Sequence, residues 1–181
     1  MKRLIAAFAA VVCAFAVLVT AAACAVSEYE KFSQAFDRVG EARQVVTSIQ
    51  IMRGEDLLNS VTEEYTLAEE GYSVVTTTRS RNPIGAGKEF TESVTTKTVA
   101  KSDVRFGSLP SESALSDPTY SGDYVLEAKI GDPGTVGLES AAVDGNISFR
   151  AVLENGALTK IEMAYSAPSG NDVAISLSFS Y

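Results

Sequence analysis

Apolar residues recur along this chain with two different periods, and the change of period marks its elements. From Glu28 to Arg43, the positions Phe32, Ala35, Phe36 and Val39 fall at the i, i+3, i+4, i+7 spacing of an amphipathic helix. After Arg43 the period drops to two. Val45-Thr47-Ile49-Ile51, Val61-Glu63-Tyr65-Leu67 and Tyr72-Val74-Thr76-Thr78 alternate as strands do, with Glu69-Glu70-Gly71 as the turn between the second and third. Asn82 to Lys88, containing Pro83, Gly85 and Gly87, reads as a loop, and Phe90 to Val99 as a threonine-rich strand. Ser108 to Asp123, with Pro110 and Pro118, predicts an irregular region holding a short helical turn around Glu112 to Ser116. Tyr124-Leu126-Ala128-Ile130 then alternates again until Gly131 to Gly137 breaks the pattern.

The C-terminal third carries the strongest signal. Ile147-Phe149-Ala151-Leu153 and Ala157-Thr159-Ile161-Met163-Tyr165 flank Asn155-Gly156, a dipeptide suited to the left-handed turn of a hairpin. After Ser169-Gly170-Asn171-Asp172, a third arm places Val173, Ile175, Leu177, Phe179 and Tyr181 on one face, and Ala174, Ser176, Ser178 and Ser180 on the other. A meander with one apolar face must lay it on something, and the long helix available is the N-terminal one. The expected fold is α+β, a curved antiparallel sheet of about seven to eight strands packed on one helix.

Ahead of the helix stands a leader. Lys2 and Arg3 precede an apolar run from Leu4 to Val26 whose polar interruption is Thr20. Small residues Ala21-Ala22-Ala23 come just before Cys24, and this arrangement resembles a bacterial lipoprotein signal. The resemblance implies cleavage before Cys24 and acylation of that cysteine; Ala21 departs from the larger aliphatic residue usual there. Two other readings stay open: an uncleaved membrane-spanning helix, and an ordinary signal peptide released after Ala23. The expected organisation is residues 1–23 as signal peptide or anchor and residues 24–181 as a single extracytoplasmic domain. All three readings place that domain outside the cytoplasm, at the membrane face or secreted. Cys13 and Cys24 are the chain's two cysteines, so nothing from Ala25 to Tyr181 can form a disulfide, and the domain must rely on its core.

Composition removes most catalytic chemistry. The chain has no histidine and no tryptophan. Serine or cysteine nucleophiles activated by histidine, and histidine-ligated metals, are therefore absent. From Cys24 onward 13 basic and 23 acidic side chains leave a net charge of −10, which disfavours nucleic acid as a partner. Residues 79–105 run against that trend with Arg79, Arg81, Lys88, Lys97, Lys101 and Arg105. They suggest either a face for anionic headgroups or cell-wall polymers, or the charges that strand edges carry against aggregation.

The remaining motifs dissolve on inspection. Gly85-Ala86-Gly87-Lys88 lacks the first glycine of a phosphate loop, since Asn82 stands there, and has Glu89 where serine or threonine would bind magnesium. No lysine lies three residues after a serine, and Pro168-Ser169-Gly170-Asn171 reads as a turn. Glu63 and Glu64 are adjacent on a strand and so point to opposite faces, while Glu69 and Glu70 belong to a turn. Glu63 is in phase with Val61, Tyr65 and Leu67, which suggests a bulge or a rim position. Asn146-Ile147-Ser148 is formally a glycosylation sequon, relevant in a eukaryotic secretory pathway. No catalytic residue, metal ligand set or cofactor is expected.

An N-terminal helix behind a lipoprotein-type leader, followed by antiparallel strands to the C-terminus, resembles the half-barrel of the LolA and LppX lipoprotein-carrier families. The likeness lies in the order of elements over residues 28–181 and transfers no cavity residue. It implies a lipid or other hydrophobic ligand held between sheet and helix. The expected function is a membrane-anchored, non-catalytic binding protein. The alternative is a structural or interaction module of the cell envelope with a packed core, whose partner is an envelope protein or cell-wall polymer. An outer-membrane barrel ending in Phe179 and Tyr181 fits less well, because threonine, arginine and glutamate crowd both faces of residues 60–99.

Overall fold

Ser27 starts the helix by accepting a hydrogen bond from the Glu30 amide on its hydroxyl (3.1 Å). Glu28 and Glu30 sit in the first turn, where the exposed amides favour negative charge. In this computed structural model, which describes residues 27–83, 89–122 and 124–181, helix α1 spans Glu28–Asp37 and buries Phe32 and Ala35. It stops short of the expected Arg43. A 3-10 turn, Val39–Glu41, takes over and turns Val39 into the core. The leader of residues 1–23, Cys24 and Gly85-Ala86-Gly87-Lys88 lie outside the described residues. Among the described residues, no helix is long and apolar enough to cross a membrane.

Nine strands follow in one sheet: β1 (Gln44–Arg53), β2 (Asp56–Ala68), β3 (Gly71–Arg81), β4 (Phe90–Val99), β5 (Leu115–Ser121), β6 (Val125–Ile130), β7 (Asp144–Glu154), β8 (Ala157–Ser166) and β9 (Asp172–Ser180). Their order is β4-β3-β2-β1-β9-β8-β7-β6-β5, and every neighbouring pair is antiparallel. The fold class is therefore α+β with a curved antiparallel sheet, as expected, but the strand count is nine and not seven to eight. The additional strand is β5, in the stretch expected to be irregular. The helical turn there is confined to a 3-10 segment, Glu112–Ala114. Pro118 is accommodated because β5 is an edge strand whose pairing with β6 skips from Ser116 to Thr119, where Asp117 adopts φ 52°.

Chain connections follow local chemistry. Asn155 (φ 53°) and Gly156 (φ 75°) form the two-residue turn between Glu154 and Ala157 that the dipeptide predicts. Ser169 and Gly170 lie in the turn between β8 and β9, closed by the Ala167 amide on the Asn171 carbonyl (2.8 Å). A Cβ at Gly71 would overlap the Val99 carbonyl oxygen, so only glycine lets β3 begin this close to β4.

The register explains why the strands differ in composition. One inner-face row runs across all nine strands as Thr95, Thr76, Glu63, Thr47, Leu177, Ile161, Ala151, Leu126 and Tyr120. Its β9–β6 half is apolar and lies beneath α1, which contacts β7 and β8. Its β1–β4 half is polar and half-buried or exposed. The core is thus off-centre, with Leu126, Ile130, Ile147, Leu158 and Ile161 among its fully buried side chains. Beside it, Ile49 remains 42% exposed on the inner face, flanked by half-buried Val61 and Ile175.

Candidate functional site

Where the apolar and polar halves of the sheet meet, four aromatic rings fill the inner face. Phe106, from the segment after β4, stands edge-on to Tyr65 (ring centroids 5.2 Å apart), Tyr72 (5.5 Å) and Phe179 (6.4 Å). Edge-to-face packing of this kind adds to the burial of the rings themselves. Three of the rings come from alternating strand positions, so their side is set by the pleat. Phe106 is delivered by a loop that returns over the sheet, with Gly107 at φ 70° just behind it.

Beside this cluster lies a cleft of about 330 Å³, between the end of α1 and the 3-10 turn on one side and residues 101–107 on the other. Phe36, Val39 and Phe106 supply apolar wall, Tyr72 lines it, and Asp37, Lys101 and Arg105 bring charge. Tyr72 is only 1% exposed, and its hydroxyl is buried with no hydrogen-bond partner. Burial pushes its pKa upward, so the group is a neutral donor at any physiological pH. A buried hydroxyl without a partner costs free energy, and this one has no surface open to the cleft. Among the described residues, no carboxylate lies within ion-pairing distance of Lys101 or Arg105.

Two larger clefts lack such a group. A groove of about 390 Å³ on the outer face is lined from β1, β9, β8 and β7, by Ser48, Ala164, Ala174 and Ser176 together with larger side chains such as Gln50 and Glu162. Another, of about 400 Å³, lies between α1 and Tyr124, Leu153 and Gly156.

The residues singled out in the sequence scatter. Arg79 pairs loosely with Glu92 (4.0 Å) and stacks over Phe90 (4.5 Å), while Arg81 pairs with Asp56 (2.8 Å) and Glu89 (3.8 Å). Both lie on β3, an interior strand, and their ion pairs reach to β4, to the residue before it and to the start of β2. Lys97 is exposed on β4, and only Lys101 and Arg105 meet at the cleft. Glu63 sits in unbroken register on the inner face, half-buried, so no bulge accommodates it. Its carboxylate accepts hydrogen bonds from the hydroxyls of Tyr65 (2.7 Å) and Thr76 (3.3 Å), which satisfies it without a cation. Glu64, on the opposite face, is exposed. Asn146 is an exposed residue of β7. Among the described residues, no group of acidic or cysteine side chains is arranged to hold a metal. Sequence reasoning missed Tyr72 and Phe106 as site residues; the apolar spacing of Val104, Phe106 and Leu109 inside a polar segment is the signal that marks the second.

No protein-family model matches this chain, and no curated protein matches it. Among solved structures, a redesigned β-barrel aligns with 78% of this chain and 94% of its own at 8% identity, with a TM-score of 0.22, too low to bear on the fold.

Proposed function

We propose that this protein is a non-catalytic, extracytoplasmic binding module, anchored to the membrane through its N-terminus, that takes up a hydrophobic ligand at the Tyr72 cleft. The observation that carries the reading is the cleft itself. It combines the apolar side chains of Phe36, Val39 and Phe106 with the charged Asp37, Lys101 and Arg105, the mixture of apolar surface and a few placed polar groups that small-molecule sites use. The volume of about 330 Å³ is at the lower end of such sites, roughly 300–1,000 Å³, and suits partial burial of a chain or ring. The ligand enters beside α1, since Phe106 and the rings around it already occupy the space between sheet and helix. The test is titration of the domain from Ala25 to Tyr181, which contains every core residue described above, with a fluorescent fatty-acid analogue. Saturable uptake that Phe36→Asp abolishes is expected; absence of saturable uptake refutes the reading. For the anchor, the mass of the protein from its host's membranes distinguishes an acylated Cys24 from an uncleaved leader.

A second reading, an envelope interaction module without a small ligand, draws on the same filled interior and on β4. That edge strand pairs regularly with β3 through all ten residues, is exposed from Thr91 to Thr98, and presents Val94 58% exposed, whereas the other edge is guarded by a bulge and Pro118. Recovery of an envelope protein whose binding Val94→Lys abolishes, with no uptake of the fatty-acid analogue, favours this reading.

A further inference from the structure

The hydrophobe-binding reading leaves open what the cleft's charges are for, and the inference that follows rests on that reading. Lys101 and Arg105 both line the cleft, and among the described residues neither has a carboxylate within ion-pairing distance. The one acidic side chain on the cleft, Asp37, stands on the wall formed by α1, so the lining carries a net positive charge. This is an exception on an acidic molecule, whose region from Cys24 carries 13 basic against 23 acidic side chains. The net negative charge of the molecule repels an anion at long range, and the two cations at this mouth attract it locally.

We propose that the cleft selects an amphiphile with a carboxylate head, bound by Lys101 and Arg105, with its apolar body against Phe36 and Phe106. Each part has its counterpart. A guanidinium offers paired N–H donors in the plane that a carboxylate accepts, and an ammonium adds a mobile point charge. Phe36 and Phe106 cover apolar surface that the head leaves behind. Arg79 and Arg81, two other cations of the locally basic segment, are engaged by Glu92, Asp56 and Glu89, and Lys97 is exposed on β4 outside the cleft lining, so Lys101 and Arg105 are the cations of this segment placed to read the head.

The experiment compares a fluorescent fatty acid with its methyl ester on the Ala25 to Tyr181 domain, both below the concentration at which they aggregate. The acid is expected to bind about tenfold tighter than the ester, the scale of a charge-assisted hydrogen bond. In the double variant Lys101→Gln, Arg105→Gln, whose positions are both exposed and whose fold is checked by circular dichroism, that preference collapses while ester binding persists. Equal affinity for acid and ester overturns the headgroup assignment and leaves the hydrophobe-binding reading standing. A preference that survives in the double variant overturns it as well, and failure of both probes to bind removes the two together.

Discussion

Tyr65 donates a 2.7 Å hydrogen bond to Glu63, two residues away on the same strand and on the same inner face of the sheet. The pair sits where the apolar half of that face gives way to the polar half. Burial, reinforced by the Glu63 hydrogen bond and charge, pushes the Tyr65 pKa up to about 12. In the unfolded chain the same phenol ionises near its ordinary value of about 10. The folded state therefore holds this proton more tightly, and the stability linked to it is whole below pH about 10 and is lost as pH rises toward 12. Tyr29, Tyr72, Tyr120, Tyr165 and Tyr181 are shifted upward too, chiefly by burial, so alkaline unfolding should be steep. In a spectrophotometric tyrosine titration, Glu63→Gln should lower the last ionisation midpoint; an unchanged midpoint contradicts the role given to Glu63.

Tyr72→Phe should hold or raise stability and leave binding unchanged. Removing a buried hydroxyl that has no partner relieves a desolvation cost of about 1–3 kcal/mol, so the unliganded domain should melt at the same temperature or higher. The hydroxyl has no surface open to the cleft, so fatty-acid binding should be unchanged. A lower melting temperature would mean that the hydroxyl has a partner after all.

Phe106→Ala should cost about 3–5 kcal/mol, the range for emptying a large aromatic site in a core. The ring touches Tyr65, Tyr72 and Phe179, so its loss opens a void bordered by three rings that cannot all move into it. Chemical denaturation measures the loss, and a change below 1 kcal/mol would show that the loop is not a structural plug.

Gly71→Ala should destabilise the domain by at least about 1–3 kcal/mol, the usual cost of forcing atoms into occupied space. The obstacle is the Val99 carbonyl, which is backbone and cannot rotate away. A thermal melt unchanged by the substitution would place the β3–β4 approach elsewhere.

Deleting Ile175 to Tyr181 should unfold the domain and not merely trim it. β9 is a central strand, paired with β1 on one side and β8 on the other, and it carries buried Leu177 and Phe179. Loss of a cooperative melting transition is the expected outcome; retention of one would mean that β1 and β8 can join directly.

Local chemistry alone specifies much of this molecule. The helix is legible because Phe32, Ala35, Phe36 and Val39 recur at the spacing of one helix face, and the β7–β8–β9 meander because Asn155-Gly156 forces a tight turn between alternating arms. Those signals are short-range, so composition and spacing carry them. β5 escaped because Pro118 forbids a central strand yet is harmless at an edge, and which strand is the edge depends on partners far along the chain. The same limit hid the cleft. Tyr72, Lys101 and Arg105 look like a strand residue and two scattered cations until Phe106 folds its loop back over the sheet and the end of α1 closes the other wall. Periodicity decides which side of a strand a residue takes; which distant residues then share a space is decided by packing, where burial of four aromatic rings outweighs the preference of a polar loop for solvent.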